Sequence, residues 1–470
     1  MQKGYLAIDI GASGGRHIFG WIENRTLKLE EIYRFENRMD VRDGKRLWDT
    51  ERLFGEIVKG MKICGEKGRV PASVAIDTWA VDFVLLDEKD RILGDTYAYR
   101  DSRTEGMDAE VYKILPEQEL YARTGIQKQM FNTIYQLMAV KKKTPELLEK
   151  AKTFLMLPDY FQYRLTGIKR SEYTNATSTQ LVSPVTHQWD VELIGRLGYP
   201  REIFLPLQMP GQTLGALKDE IANEVGYRCE VMLCAGHDTA SAVMAMPDTE
   251  GKGLYISSGT WSLMGIESPE AVCDEKSRLA NFTNEGGYDL RFRYLKNIMG
   301  LWMIQSVRHE LNDRYSFAQL CELAEEAKDF PSRVDVNDSV FLAPDSMIEA
   351  LKGYCQRSGQ RIPESVGELS AVIYRSLAEC YGRTVKEIEA NTGRVYHSIH
   401  VIGGGSHADY LNRLTAQATG KQVLAGPSEA TATGNLLAQM IASGEFETLS
   451  QARACVKASF PVRLYEPSGR

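Results

Sequence analysis

Asp238 has the residue type and setting that proton transfer requires. It follows the apolar run 231–235 and Gly236, a pattern typical of a buried strand that reaches a turn. The small residues 239–242 then favour a helix start, whose N-terminal dipole keeps a carboxylate ionised. An ionised aspartate at the carboxyl edge of a sheet can accept a proton, so Asp238 is a candidate base.

Two strand–turn–strand segments have the small, polar turns that bind phosphate oxygens. The first turn consists of Gly11, Ala12, Ser13, Gly14 and Gly15, and the second of Ser258, Gly259 and Thr260. Successive backbone N–H groups in such turns form a concavity for anionic oxygens. Either turn alone is a weak signal, because Gly/Ser turns are common. Together they predict a duplicated fold in which two facing turns hold a polyphosphate.

Asp9 stands at the end of the first apolar strand, just before the first turn. Proteins commonly hold Mg²⁺ with one or two carboxylates, while waters and substrate phosphates complete its shell. We therefore expect Asp9 to anchor a Mg²⁺ ion beside the phosphate chain.

Two further segments allow a functional and a structural interpretation. Polar residues surround Trp79 at the end of a short buried strand, which suits a sugar platform, but a buried tryptophan with charged turn residues fits equally well. Residues 403–405 form a triple-glycine turn after another strand. A nucleotide base or ribose over this turn is one interpretation, and a tight strand-to-helix crossing is the other.

Apolar periodicity predicts the elements that must position these residues. Helical spacing indicates helices over 50–64 and 132–143, and a long helix that Pro363 opens. The same spacing predicts a helix over 296–311, with Asn297 and Gln305 at its flanks. Short buried strands alternate with these helices, which indicates an α/β fold.

Length and composition limit the classes of protein. The 470 residues exceed what one core usually supports, so we expect two large domains. No apolar run is long enough to cross a bilayer and no secretory signal is visible, so we expect a cytoplasmic protein without a membrane partner. A net charge of −7 argues against nucleic acid as the partner. The eight cysteines show no zinc-binding spacing.

Taken together, these motifs resemble the FGGY carbohydrate kinases of the actin-like ATPase superfamily, and within that family the rhamnulokinases. The similarity extends over nearly the whole chain. Its most specific pieces are residues 8–16, 77–83, 99–103, 156–161, 237–239, 257–264, 284–287, 296–302 and 403–405.

The resemblance implies an α/β fold of two actin-like ATPase (ribonuclease H-like) domains with a cleft between them. Residues 1–246 would form the sugar-binding domain and residues 247–470 the nucleotide-binding domain. The implied reaction transfers the γ-phosphate of ATP, with Mg²⁺, to the 1-hydroxyl of L-rhamnulose. The implied assembly is a monomer or a homodimer.

The resemblance also implies roles for individual residues. Asp238 would be the proton acceptor, for which a carboxylate of ordinary pKa suffices. The sugar would contact Ala80, His237, Asp238, Thr239 and Asn297. The nucleotide would lie on Ala12, Ser13, Gly14, Gly15, Arg16, Thr260, Gln305 and Gly404. Two positions depart from the family pattern, since Gly14 replaces a usual serine and Ala80 replaces a glycine against the sugar.

Other functions remain open at this level. A kinase for a related ketose or polyol, such as L-fuculose, xylulose or glycerol, would use the same motifs. A chaperone-type or filament-forming ATPase would need a peptide-binding domain or a filament interface. A sugar-sensing regulator of the same fold would be expected to have replaced Asp238 or to carry a DNA-binding extension, and neither is seen.

Overall fold

The computed structural model describes residues 3–467 of the chain. The strands are β1 Gly4–Ile10, β2 Gly14–Glu23, β3 Thr26–Glu36, β4 Asp40–Arg42, β5 Lys45–Leu47, β6 Ser73–Thr78, β7 Phe83–Leu86, β8 Thr153–Met156, β9 Ser171–Glu172, β10 Val182–Ser183, β11 Gln188–Trp189, β12 Leu207–Gln208, β13 Thr213–Ala216, β14 Glu230–Met232, β15 Leu254–Ser258, β16 Trp261–Ser268, β17 Thr283–Gly286, β18 Phe292–Met299, β19 Ser398–Ile402, β20 Gln422–Ala425 and β21 Arg463–Tyr465. The α-helices are α1 Thr50–Glu66, α2 Met107–Tyr112, α3 Glu117–Thr124, α4 Thr133–Lys143, α5 Pro145–Lys150, α6 Leu157–Thr166, α7 Tyr173–Thr177, α8 Val191–Arg196, α9 Asp219–Val225, α10 Asp238–Met244, α11 Glu275–Leu279, α12 Trp302–Glu310, α13 Phe317–Glu326, α14 Met347–Arg357, α15 Val366–Thr392, α16 Asp409–Thr419, α17 Ala430–Ala442 and α18 Leu449–Ser459.

The chain forms two compact units, each built from separate segments. The first unit contains the residues up to Ala245 together with Ser268–Tyr294 and Thr431–Ser459. The second contains Met246–Glu267, Leu295–Ala430 and the residues from Phe460 onward. The two continuous domains expected from the sequence, 1–246 and 247–470, stay a prediction.

A six-stranded mixed sheet forms the centre of the first unit, in the order β13-β14-β6-β1-β2-β3. Strand β1 is antiparallel to β2 and parallel to β6, so the carboxyl ends of β1 and β6 lie side by side. Helix α1 begins where the Asp49 side chain accepts a hydrogen bond from Arg52 N. Its apolar face packs into the core of this sheet, as the helical spacing of residues 50–64 predicted.

The second unit repeats this arrangement. Its strands lie in the order β18-β16-β15-β19-β20-β21. Strand β15 is antiparallel to β16 and parallel to β19, just as β1 is antiparallel to β2 and parallel to β6. The duplicated strand–turn–strand pattern in the sequence therefore corresponds to the same hairpin and parallel neighbour in each unit.

The helix predicted over residues 296–311 is wrong in its first part. Strand β18 continues to Met299, and helix α12 begins only at Trp302. Gly300, between the two elements, lies close to the backbone of Trp261, since a Cβ atom there would be 2.4 Å from the carbonyl carbon of that residue. Asn297 therefore lies on a strand and Gln305 on the helix that follows it. Of the apolar residues that suggested a single helix, those from Trp302 onward lie in α12, whereas Ile298 lies in β18, which pairs with β16.

Candidate active site

Asp238 is the first residue of α10 and holds one carboxylate oxygen within a hydrogen-bond network. Its Oδ1 accepts hydrogen bonds from the backbone N–H of Thr239, at 2.5 Å, and from the Thr239 hydroxyl, at 3.1 Å. His237 Nε2 lies 3.4 Å from the same oxygen. Among residues 3–467, none donates a hydrogen bond to Oδ2. The side chain of Asp238 is 29% exposed. Oδ2 is therefore the atom free to accept a proton from a bound hydroxyl.

The pKa of Asp238 is raised above its ordinary value. Burial is the main cause, and the negative charge of Asp9 adds to it. The imidazole of His237 and the two hydrogen bonds from Thr239 act in the opposite direction. A carboxylate of ordinary pKa would suffice for this role. The raised pKa makes Asp238 a stronger base than a solvated aspartate.

His237 packs against a buried ion pair that the sequence did not reveal. Arg293 Nη2 and Glu285 Oε2 are 3.1 Å apart, and each lies close to His237 Nδ1, at 3.1 and 3.2 Å. Burial alone would raise the pKa of Glu285. The charge of Arg293 and the close contact with the imidazole of His237 outweigh burial and hold that pKa below its usual value.

Asp9 and Asp77 are the second-to-last residues of neighbouring parallel strands and are paired in register. Asp9 forms an ion pair with Arg16, at 2.8 Å. Asp77 is fully buried, and its Oδ2 accepts a hydrogen bond of 2.6 Å from Asn435. Its Oδ1 is buried, and no group within residues 3–467 donates a hydrogen bond to it. Burial, and then the charge of Asp9, raises the pKa of Asp77 well above its ordinary value.

This strand end fits a Mg²⁺ ion that phosphates help to hold. A buried, unpaired carboxyl oxygen beside a second carboxylate is a setting that a cation would stabilise. Within residues 3–467, no group of three or more His, Cys, Asp or Glu side chains could hold a metal ion alone. A Mg²⁺ ion here would therefore depend on substrate phosphates and waters for the rest of its shell.

The first turn connects β1 and β2 as the sequence predicted. Gly11 N donates to the carbonyl of Gly14, and Asn37 holds the turn by bonding to the carbonyls of Gly11 and Ser13. Gly15 is a glycine for a packing reason, since a Cβ atom there would lie 2.2 Å from the ring of Phe35. Ser13 is exposed at the tip. The turn is thus ordered by contacts within its own unit.

The triple-glycine turn in the second unit has a different explanation for each glycine. Gly403 has a φ of +84°, which favours glycine, and a Cβ atom on Gly405 would lie 1.9 Å from Ser258 Oγ. A Cβ atom on Gly404 would meet nothing within 4 Å. The tight crossing therefore accounts for Gly403 and Gly405. It leaves Gly404 without an internal reason to be glycine.

The segment around Ala80 is buried and strained. Trp79 is only 6% exposed, and its Nε1 donates to Asp82, which favours the buried-tryptophan interpretation, while the sugar platform stays a prediction. Val81 has a φ of +67°, which is unfavourable for a β-branched residue. Hydrogen bonds from Thr133 and Gln136 to the Val81 carbonyl hold this conformation. Ala80 lies directly before Val81 at a bend.

The predicted site residues are thus distributed over both units. The first unit holds Asp9, Ala12, Ser13, Gly14, Gly15, Arg16, Ala80, His237, Asp238 and Thr239. The second unit holds Thr260, Asn297, Gln305 and Gly404. Within the first unit, the structure joins Asp9 to Arg16 and Asp238 to both of its neighbours.

Two family models match the chain in succession. The FGGY family of carbohydrate kinases, N-terminal domain, matches residues 4–245, and the C-terminal domain of the same family matches residues 254–443. The chain belongs to the FGGY family of carbohydrate kinases. No helix that the structure describes within residues 3–467 is long and apolar enough to span a membrane.

The kinase is similar along its whole length to curated relatives of one name. It is 51% identical over 465 residues to the rhamnulokinase of Halalkalibacterium halodurans, and the match covers 99% of each chain. It is 43% identical to the rhamnulokinase of Bacillus subtilis over 98% of this chain and 95% of that relative. Sequence identities of 43% and 51% over nearly the full length are higher than two proteins need in order to share a fold.

Solved structures of other sugar kinases share the fold of this kinase. A gluconate kinase from Lactobacillus acidophilus superposes with a TM-score of 0.81 at 15% sequence identity, covering 100% of this chain and 94% of that one. A xylulose kinase from the same organism gives a TM-score of 0.79 at 14% identity, covering 99% and 94%. The kinase therefore has the two-domain FGGY fold of mixed α/β sheets.

Sequence reasoning missed a buried carboxylate that holds the backbone before Asp238. Glu172 caps α7 by accepting from the N–H groups of Thr174 and Asn175, and it also accepts from Gly236 N at 3.0 Å. The Thr174 hydroxyl in turn accepts from His237 N, at 3.3 Å. The hydroxyl-rich stretch at 174–179 has a sequence typical of a capping and turn segment. Its link to residues 236–237 spans about sixty positions and has no local signal.

Proposed function

We propose that this kinase transfers the γ-phosphate of ATP to the 1-hydroxyl of L-rhamnulose, giving L-rhamnulose 1-phosphate and ADP. The observation that carries the proposal is the agreement of seven curated relatives, all named rhamnulokinase, at 39–51% identity. Each match covers 98–99% of this chain. The structures whose names mention gluconate, xylulose or glycerol are only 13–17% identical, so they support the fold alone.

In the proposed mechanism, Asp238 Oδ2 accepts the proton of the sugar hydroxyl as that oxygen attacks. Phosphoryl transfer passes through a loose transition state, so the protein mainly positions the reactants and balances charge. The anchored Oδ1 fixes the plane of the carboxylate, and the raised pKa strengthens it as a base. The other proposed sugar contacts are Ala80, His237, Thr239 and Asn297.

ATP is the phosphate donor that the family implies, and we propose where it binds. The proposed contacts are Ala12, Ser13, Gly14, Gly15, Arg16, Thr260, Gln305 and Gly404. The open space beside Gly404 and the exposed tip at Ser13 support this assignment. Asp9 would hold Mg²⁺, with the unpaired oxygen of Asp77 close by in the sheet. When bound, Mg²⁺ would neutralise charge on the β- and γ-phosphates.

The proposal also covers location and assembly. ATP and the sugar are the only partners that the reaction requires, and both are small molecules. We place the activity in the cytoplasm, where ATP is available, and expect a monomer or a homodimer.

Identification of the product tests the proposal directly. The purified kinase would be incubated with ATP, Mg²⁺ and L-rhamnulose, and phosphorus–proton coupling in the NMR spectrum would locate the new ester. We expect the phosphate on the oxygen of carbon 1, with one ADP formed per ester. A phosphate on another hydroxyl, or ADP without an ester, would show the reaction to be different.

A further inference from the structure

The buried ion pair beside His237 has a fixed geometry. Arg293 is 1% exposed, and its Nε and Nη2 donate to the carbonyl of Gly286, at 3.2 and 3.1 Å. Glu285 neutralises the guanidinium at 3.1 Å. The side chain of Arg293 is thus held in one place by a backbone carbonyl and by a carboxylate.

The position of Arg293 decides which nitrogen of His237 carries the proton. A guanidinium group can only donate hydrogen bonds, and Arg293 Nη2 is directed at His237 Nδ1, at 3.1 Å. Nδ1 must therefore be the acceptor, and a neutral imidazole then carries its proton on Nε2. Nε2 is the nitrogen that faces Asp238 Oδ1, at 3.4 Å.

We propose that Glu285 and Arg293 are positioning residues that fix the Nε2-protonated tautomer of His237, so that His237 donates to Asp238 Oδ1 and leaves Oδ2 for the substrate. This inference rests on the proposed role of Asp238 as proton acceptor. Without Arg293, the charge of Glu285 would be left 3.2 Å from Nδ1 and would draw the imidazole proton to that nitrogen. Nε2 would then present a lone pair to the carboxylate of Asp238, and two acceptors would face each other.

The tautomer can be measured without any turnover. Nitrogen-15 NMR of the full-length kinase with labelled histidines, at alkaline pH, distinguishes the two ring nitrogens, and His237→Gln identifies the signals of His237. We expect a proton on Nε2 in the wild type and on Nδ1 in Arg293→Met. A wild-type His237 with its proton on Nδ1 would overturn the proposal, whatever the sugar substrate proves to be.

Kinetics in two backgrounds separate positioning from a general structural role. We expect Arg293→Met to lower kcat by about tenfold or more, with a smaller change in the KM for L-rhamnulose, because the base is misaligned. In the His237→Gln background, the same substitution should change kcat by less than about twofold, because the path through the imidazole is gone. Equal losses in both backgrounds would refute the proposal.

Two further variants complete the experiment. Arg278→Met removes a guanidinium whose ion pair with Glu275, at 2.7 Å, is not part of the cluster at His237, and it should leave kcat unchanged. If Arg293→Met does not fold, Arg293→Met/Glu285→Gln removes both buried charges together. With the charge of Glu285 gone and the carboxylate of Asp238 still facing Nε2, the double variant should keep the proton on Nε2. A proton on Nδ1 in a folded double variant would overturn the proposal, because the charge that is said to draw it there is absent.

Discussion

At the scale of single residues, the two oxygens of Asp238 have separate tasks. Oδ1 is held by Thr239 and faces His237, whereas Oδ2 is available to a substrate hydroxyl. The local structure therefore fixes both the direction and the strength of the base. Two substitutions test these properties one at a time.

Asp238→Asn keeps the shape of the side chain and removes its basicity. We expect kcat to fall by a factor on the order of 10² to 10⁴, as for the loss of a positioned general base. Sugar binding and the unfolding transition should change little, because the amide oxygen can still accept the Thr239 hydrogen bonds. Steady-state kinetics and calorimetric sugar binding would check this, and near-normal turnover would remove Asp238 from the mechanism.

Thr239→Val should move the acid limb of the pH–rate profile to higher pH. The Thr239 hydroxyl stabilises the ionised form of Asp238, so its loss raises a pKa that burial has already raised. The base is inactive when protonated, so activity disappears as the pH falls through that pKa. The measurement is kcat/KM against pH, with Thr239→Ser as the control that keeps the hydroxyl. An acid limb at the same pH in both variants would contradict this explanation.

At the scale of elements, substitutions of glycine separate the effect of packing from the effect of ligand contact. The turn after β19 provides a matched pair. Gly404→Ala should leave the protein as stable as the wild type, since the new methyl group meets no protein atom. If ATP lies over this turn, the KM for ATP should rise about tenfold, while the KM for the sugar stays constant.

Gly405→Ala is the control for that experiment. Its methyl group would lie 1.9 Å from Ser258 Oγ, so this variant should unfold at lower denaturant concentration. A Gly404→Ala variant with an unchanged KM for ATP would show that the nucleotide does not lie against this turn.

Helix α1 contains a second pair of glycines with opposite expected effects. A Cβ atom on Gly60 would lie 2.4 Å from the buried ring of His17, whereas one on Gly55 would meet nothing within 4 Å. Gly60→Ala should lower the free energy of unfolding by about 1–3 kcal/mol through overpacking. Gly55→Ala should raise it by about 0.5–1 kcal/mol, the difference in helix propensity. Chemical denaturation measures both, and a stabilising Gly60→Ala would mean that the ring of His17 can move away.

Local patterns predicted the elements near the site, and tertiary contacts determined the rest. The hairpin around Gly11 and the position of Asp238 at a helix start follow from apolar runs, small residues and turn residues, which act over a few positions. The strand before Asp238 ends at Met232, earlier than the apolar run predicted. The strand at Asn297 was misassigned because its apolar spacing also fits a helix, and only the neighbouring strand resolves it. Arg293 and His237 are in contact although they are 56 positions apart in the sequence, so no local periodicity predicts this contact.

At the scale of the whole molecule, the family and the substrate rest on different evidence. The fold is common to kinases that share only 13–17% of this sequence, so it does not select the sugar. The choice of L-rhamnulose comes from relatives that are 39–51% identical over nearly the full chain. The contact of Ala80 with the sugar stays a prediction.

The most direct test of this account is the ratio of kcat/KM among possible phosphate acceptors. The purified kinase would be assayed with ATP and Mg²⁺ against L-rhamnulose, L-fuculose, xylulose and glycerol, with Asp238→Asn as the background control. We predict the highest kcat/KM for L-rhamnulose, because the curated relatives that match nearly the full chain are named rhamnulokinase. A kcat/KM for xylulose or glycerol well above that for L-rhamnulose would contradict the proposed function.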